Sequence, residues 1–412
     1  MKFRVLTTLV LSFALLFAFG CASESEKKEA KTEDPATAEV KQEEVKPLTV
    51  GLILVGPYND KGYSQAQYEG GKYVEANMPG AKLVYLDKVN PADRPGLTIP
   101  QVVDDLIEKG ADLILAGSDD MKDGILEAAA QHPDKTFIHI SGDAVWAGKA
   151  PANLGNIFSR MEYAKMMAGF TAAMTTKTGK IGVVGPLVNE ETRRLVAAGY
   201  LGAVHAWTKV RGRDIKDLTF HVKWIGFWFN IPGVTADPTQ VAGSLFDSGC
   251  DVLISGIDTP EVVTVAKQRR AMGKDVWALP YDFKNACQGQ GDSCLGVPYF
   301  NWGPTFMRLA KQVKDGTYTS TFEWDAPYWA DINDENRSVV GFMSGPGMTP
   351  TVKTKLNEFI TELGSGKLNL FVGPLNYQDG TPFLKTGEKA TDKQIWYMHQ
   401  MLKGMEGISS AK

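Results

Sequence analysis

Six short segments of this 412-residue chain place hydrogen-bonding and aromatic side chains directly after apolar runs. In open α/β sheets the ends of the strands are where ligands sit. The run TVGLILV leads into Gly56-Pro57-Tyr58-Asn59-Asp60-Lys61-Gly62-Tyr63-Ser64. Glycine and proline shape a loop there, Asn59 and Asp60 offer directional hydrogen bonds, and Tyr58 and Tyr63 offer flat faces. Tyr63 equally suits packing at a helix start. Gly117-Ser118-Asp119-Asp120 and Gly256-Ile257-Asp258-Thr259 each join a permissive glycine to a carboxylate at a helix start. Helix capping accounts for Asp119, Asp120 and Thr259 at least as well as binding does, and Ser118 is a capping type too. Asp258 falls earlier in its turn and reads as ligand-facing. Asp282, after Leu279-Pro280-Tyr281, is a second such carboxylate. The aromatic run Trp224 to Asn230, ahead of Ile231-Pro232-Gly233, exceeds what a strand core requires. Either Trp228 lines a cleft and stacks on a ring, or these rings cover a sheet edge. Asn301-Trp302-Gly303-Pro304 poses the same choice for Trp302.

This chemistry is that of binding. The chain has no G-x-S-x-G elbow, no phosphate-binding GxxxxGK[ST] loop and no GxGxxG after its first strand. Its carboxylates, spread over different segments, describe hydrogen-bonding walls as readily as acid/base chemistry. Five scattered histidines without HExxH, and four cysteines without CxxC spacing, give no reason to expect a metal, and no cofactor is expected. A net charge of −4 from 44 basic and 48 acidic residues disfavours a nucleic-acid partner.

The elements that must hold these residues alternate. The pattern predicts strands over 49–55, 82–86, 112–116 and 136–140, with helices over 62–77, 101–109 and 121–131 between them. After a long helix over 160–176 a second series follows, with strands over 180–184, 219–224, 251–255 and 275–279 and helices over 190–207, 238–248 and 260–272. A strand over 295–299 and a helix over 303–315 come next. Continuous apolar strands between helices indicate parallel sheets covered on both faces, so the class is α/β, doubly wound. The extra unit beyond Pro280 implies that the chain crosses between the two halves more than once.

The N-terminus bears on the compartment. Lys2 and Arg4 precede an apolar run from Val5 to Phe19, which ends at Ala18-Phe19-Gly20-Cys21. Residues 1–20 read as a signal peptide, too short to span a bilayer comfortably. The small or apolar residues before Cys21 are similar to a lipoprotein cleavage motif, in which Cys21 becomes acylated; a plain secretory cleavage site is the alternative. From Ala22 to Pro47 there is no aromatic residue, and SESEKKEAKTEDPATAEVKQEEVK carries 8 acidic and 5 basic side chains. That composition reads as a tether over 21–47 between a membrane anchor and a globular body.

At these residues the chain resembles the basic membrane protein family of ABC-transporter substrate-binding lipoproteins, which includes receptors for purine nucleosides and nucleobases. The resemblance rests on GPYNDKGYSQAQYEGG, NIFSRMEYAKMMAGF, FWFNIPG, DVLISGIDTPEVVTVAKQRR, the FNWGP turn and LFVGPLNYQDGTPFLKTGEK, in that order. It implies a type I periplasmic-binding fold, with two three-layer lobes joined by three crossover strands and closing by a hinge. The lobes expected are 48–157 plus about 298–325, and 158–297 plus about 326–412. Tyr58, Asp60 and Tyr63 would face the ligand from the first lobe, Trp228, Asp258 and Asp282 from the second, and Trp302 near the last crossings. Asn59, Ser118 and Asp119 complete the expected ligand set. The implied function is that of a non-enzymatic, monomeric receptor at the cell envelope, delivering a purine base or nucleoside to a permease. A sensory or adhesive lipoprotein is the alternative. The stretch 285–294 is longer than the family carries there, and its Cys287 and Cys294 are expected to pair in an oxidising compartment, leaving Cys250 free.

Overall fold

The computed structural model describes residues 47–410; the expected signal peptide, Cys21 and the expected tether up to Lys46 lie outside the described residues. The first series is β1 (Thr49–Ile53), α1 (Tyr63–Asn77), β2 (Lys82–Leu86), α2 (Ile99–Glu108), β3 (Leu113–Ala116), α3 (Lys122–Gln131), β4 (Thr136–Ile140) and β5 (Leu154–Ser159). The second is α4 (Met161–Thr175), β6 (Lys180–Gly185), α5 (Glu190–His205), β7 (Thr219–Trp224), α6 (Pro238–Asp247), β8 (Val252–Ser255), α7 (Glu261–Ala271) and β9 (Trp277–Leu279). Then come β10 (Gly296–Phe300), α8 (Gly303–Lys314), β11 (Phe322–Asp325), β12 (Val340–Ser344), α9 (Pro350–Gly364), β13 (Leu375–Asn376), β14 (Pro382–Leu384), α10 (Asp392–Trp396) and β15 (Met405–Glu406).

All of these strands except β10, β12, β13 and β14 form two parallel sheets, ordered β11-β5-β4-β3-β1-β2 and β15-β7-β6-β8-β9. The alternation of side chains explains why both faces are covered. In β1, Val50 and Leu52 pack with Ala66 and Val74 of α1, whereas Ile53 packs with Val102 and Leu106 of α2 and Ile125 of α3. In the second sheet Ile181 and Val183 face α4 and α5, while Val184 and Leu253 face Leu245 of α6 and Val262 of α7. This is the α/β architecture expected from the strand composition.

The chain passes between the sheets three times: from β5 through α4 to β6, from β9 through β10 and α8 to β11, and from β11 through β12 and α9 to β15. On the second and third passages β10 and β12 pair as an antiparallel ribbon. α4 and α5 meet so closely that a Cβ on Gly169 would stand 1.7 Å from the Gly199 carbonyl oxygen, and glycine there is what permits the contact.

The limits of the elements expected from the sequence agree to within about two residues, α5 included. Its α-helical geometry ends at His205 and a single π-turn carries on to Val210. The polar composition of β5 (LGNIFS) concealed it, because its buried Asn156 accepts from the Val145 amide and donates to the His139 carbonyl, using polarity inside the core. Cys287 and Cys294 form the expected disulfide, and Cys250 is buried and free. Among the described residues no helix is long and apolar enough to cross a membrane.

Candidate functional site

A cleft with about 660 Å³ of space between atoms, open solvent included, lies where the carboxyl ends of the two sheets face each other. From the first sheet it is lined by Tyr63 at the start of α1, Ser118 and Asp119 after β3, and Ser141 after β4. The opposite wall includes Lys165 of α4, Glu191 of α5, Trp228 after β7, Asp258 after β8, and Tyr281 and Asp282 after β9.

Asp282 is the most constrained of these. Its backbone holds φ at +69°, a left-handed conformation that aspartate tolerates better than most residues and that recurs at functional sites. β10 fixes it there, since the Asp282 amide donates to the Pro298 carbonyl at 3.1 Å and the Phe300 amide donates to the Asp282 carbonyl at 3.0 Å. The side chain is fully buried, and beyond a weak interaction with the Tyr281 hydroxyl neither carboxylate oxygen receives a well-formed hydrogen bond. Burial pushes its carboxyl well above the usual range; Lys165 opposes this while Asp60 and Glu191 reinforce it. Asp258 is raised in the same way, by burial first and then by Asp282, Asp60 and Glu191.

Lys165 is the cation facing this group. Its ammonium donates to the Ser255 carbonyl at 2.8 Å and lies over the Tyr281 ring. Burial lowers it to about 7 in spite of the carboxylates around it. Glu191 is raised to about 7, again by burial, against the pull of Arg194. Arg194 itself is engaged with buried Glu162, its Nε 2.7 Å from Oε1.

Contacts across the cleft hold its two sides together. The Trp228 indole donates from Nε1 to Asp120 Oδ2 at 2.8 Å, and Asn189 donates to Asp119 at 3.5 Å. Trp228 and Phe229 are built into the same apolar cluster as Ile53, Val55 and Met121 of the first series. The Asp258 carbonyl oxygen would lie 1.5 Å from a Cβ at position 62, so Gly62 is what lets the two walls approach.

Tyr63, Ser118, Asp119, Trp228, Asp258 and Asp282 of the expected ligand set thus come together. The other four stand elsewhere. Tyr58 is exposed and lies against Tyr68 and Tyr85, with ring centroids 5.2 and 5.8 Å away. Asn59 is exposed beside it. Asp60 turns inward to accept from the amides of Gly62, Ser64 and Gln65 at 2.8–3.0 Å, and burial raises it to about 6 against those donors. Trp302 is buried behind the wall, stacked on Phe300 with centroids 4.9 Å apart and edge-on to Tyr63 at 6.3 Å. It backs Tyr63 and lies outside the lining. Lys165, Glu191 and Tyr281 were not among the expected residues. A lysine inside the largely apolar α4 was the available signal for the first, whereas Glu191 looks like any acid in a first helical turn.

The chain is similar to a purine-binding protein of Brucella abortus, 27% identical over 362 residues, which cover 87% of this chain and 93% of that one. It is also similar to basic membrane protein A of Borreliella burgdorferi, 27% identical over 82% of this chain and 90% of the relative. A solute-binding protein of an Aeropyrum pernix ABC transporter superposes with a TM-score of 0.61 at 13% identity, covering 84% of this chain and 95% of that one. That likeness places the fold among the solute-binding proteins. The profile of the PnrA-like ABC transporter substrate-binding proteins matches residues 48–294, more than half of the chain, and the protein therefore belongs to that family.

Proposed function

We propose that this protein captures a purine nucleobase or nucleoside in the cleft and delivers it to a membrane permease. The observation that carries the reading is Asp282, a buried carboxylate lining the cleft that receives no well-formed hydrogen bond from the protein beyond a weak interaction with the Tyr281 hydroxyl. Leaving such a group unsatisfied costs on the order of 1–3 kcal/mol or more, and a ligand rich in N–H donors removes that cost. Asp258 stands close enough to act with it, and Tyr63, Trp228 and Tyr281 supply aromatic surface for a flat ring. The Brucella relative, named for purine binding, supports the same ligand class.

In this reading the two sheets are the cores of two lobes, 48–157 with about 298–325 and 158–297 with about 326–412, which close on the ligand as a monomer. No step of bond making or breaking is required. Cys21 carries lipid and holds the body at the cell envelope through the charged tether. Calorimetry against adenine, guanine, hypoxanthine, their nucleosides, riboflavin and glucose tests the ligand. Tight binding of a purine is expected, with Asp282→Asn weakening it tenfold or more. Binding of glucose without any purine overturns the ligand, and binding of no small molecule favours an adhesive or sensory role.

A further inference from the structure

The third passage between the sheets is not direct. After α9 the chain returns to the first sheet before it reaches β15 in the second, and it makes the change at Trp396, Tyr397 and Met398.

Trp396 ends α10, a short helix started by a capping box between Thr391 and Gln394. Its ring is buried against the β5–β11 edge of the first sheet, edge-on to Phe322 at 4.9 Å, to Trp324 at 5.0 Å and to Trp146 at 5.8 Å. Asp392, at the other end of α10, pairs with Arg160 at 2.5 Å, just past β5. Tyr397 stays on the same side. Its hydroxyl donates to Asp143 Oδ2 at 2.9 Å, and Asp143, which follows β4, is also held by Lys122 of α3 at 3.3 Å.

Met398 belongs to the second side. Its carbonyl accepts from Arg193 of α5 at 3.2 Å, and the same guanidinium donates from Nε to the Ser409 carbonyl at 2.8 Å. Between those two points β15 pairs with β7, Met405 opposite Phe220, and the Trp224 indole donates to the Ile408 carbonyl at 2.8 Å. Arg194, next along α5, lies over the Trp396 ring 4.1 Å from its centroid, so the two series meet at this ring. Asp143 stands two residues beyond Ser141, and Arg193 two beyond Glu191; Ser141 and Glu191 both line the cleft. The connection therefore runs beside the cleft and joins its walls. Covering the edge of β11 would need only the contacts of Trp396.

With Trp396 fixed to one sheet and Met398 to the other, two residues of chain set the separation available here, roughly 7 Å at full stretch. We infer that residues 396–398 are a strap that limits how far the two sheets part, so that the unliganded protein opens only part of the way. The inference rests on the reading above in which the sheets are the cores of two lobes that close on a ligand.

Distances between nitroxide labels at Asp123→Cys on α3 and Gln240→Cys on α6, both exposed, test it in the otherwise intact chain. Gly-Ser-Gly inserted between Tyr397 and Met398 lengthens the strap by about 10 Å and leaves its anchors in place. The ligand-free distances should then grow by about 5 Å or more. Trp396→Leu, which loosens the first anchor, should lengthen them too. If either folded variant keeps the parent's ligand-free distances, the strap is overturned and α10 only covers a sheet edge. Adenosine separates this from the lobe reading. Should it bind by calorimetry and leave the parent's distances unchanged, the lobes do not close on it and that reading falls together with the strap. Should it shorten the parent's distances while the insertion changes nothing, the strap alone falls.

Discussion

Gly62→Ala is a small change with a large expected effect on closure. The backbone at Gly62 has φ −147°, outside the left-handed region, so the need for glycine comes from the neighbouring wall. A Cβ there would stand 1.5 Å from the Asp258 carbonyl oxygen and 2.4 Å from its carbonyl carbon. Carbon–oxygen contacts normally lie at about 3.3–3.6 Å, so the two walls must part by about 2 Å at this point. The Trp228–Asp120 hydrogen bond, 2.8 Å long and spanning the same junction, would then pass out of range. A bond from an indole to a carboxylate contributes about 1.5–3 kcal/mol, so the closed form should lose roughly 10- to 150-fold in population and ligand affinity should fall with it. Gly243→Ala on α6, where a Cβ would meet only the Arg269 guanidinium at 3.4 Å, serves as the control. Calorimetry gives the affinity, and small-angle scattering with and without ligand gives the compaction. If Gly62→Ala binds within threefold of the parent and compacts equally, the approach of these walls is not what closes the cleft.

The unliganded protein should lose stability as pH rises from about 4 to 7. Asp60 is raised to about 6, Glu191 to about 7, and Asp258 and Asp282 are raised as well. In that window the native form keeps protons that the unfolded chain releases, so their stabilisation is complete below the unfolded values and is lost on the way up. Lys165, lowered to about 7, works the other way and adds stability only as pH climbs from there toward 10.5. Melting temperatures across this range check the sign, and Asp282→Asn should raise the value at pH 7; a flat profile would refute it. Replacing Cys287 and Cys294 by serine should cost about 2 kcal/mol for a cross-link of sequence separation 7, measured by denaturant unfolding, while Cys250 should react with thiol reagents only after unfolding. Cys21→Ser should release the protein from membranes and abolish incorporation of labelled fatty acid; absence of label in the parent would sink the anchor.

Much of this architecture could be read from residue order, because buried parallel strands such as LILA at 113–116 are apolar throughout and the covering helices are amphipathic or capped. β5 escaped because Gly155 and Asn156 do structural work inside the core that composition does not advertise. The final hundred residues escaped because short strands such as β13 and β15 gain their identity from partners distant in sequence. Within the site, reading past strand ends located Asp258 and Asp282. It did not locate Lys165, which sits mid-helix, and it could not separate Tyr63 from Tyr58. Only tertiary packing turns one ring into the cleft and leaves the other against Tyr68 and Tyr85.

The attachment of Asp282 to β10 sets its place in any rocking of the two sheets. β10 and β12 are the connections that carry the chain from one sheet to the other, and Asp282 is bonded to that ribbon by both its amide and its carbonyl. A group bonded to the connecting ribbon moves little when the sheets rock, whereas Trp228 and Asp119 stand on loops that follow strands of opposite sheets. In the proposed reading the carboxylate grips a ligand at nearly the same spot whether the jaws stand open or shut, and Trp228 and Asp119 act as the bolt. Recognition and locking are thereby divided between different parts of the lever, and substitution could alter how firmly the jaws stay shut while leaving unchanged what they first take hold of.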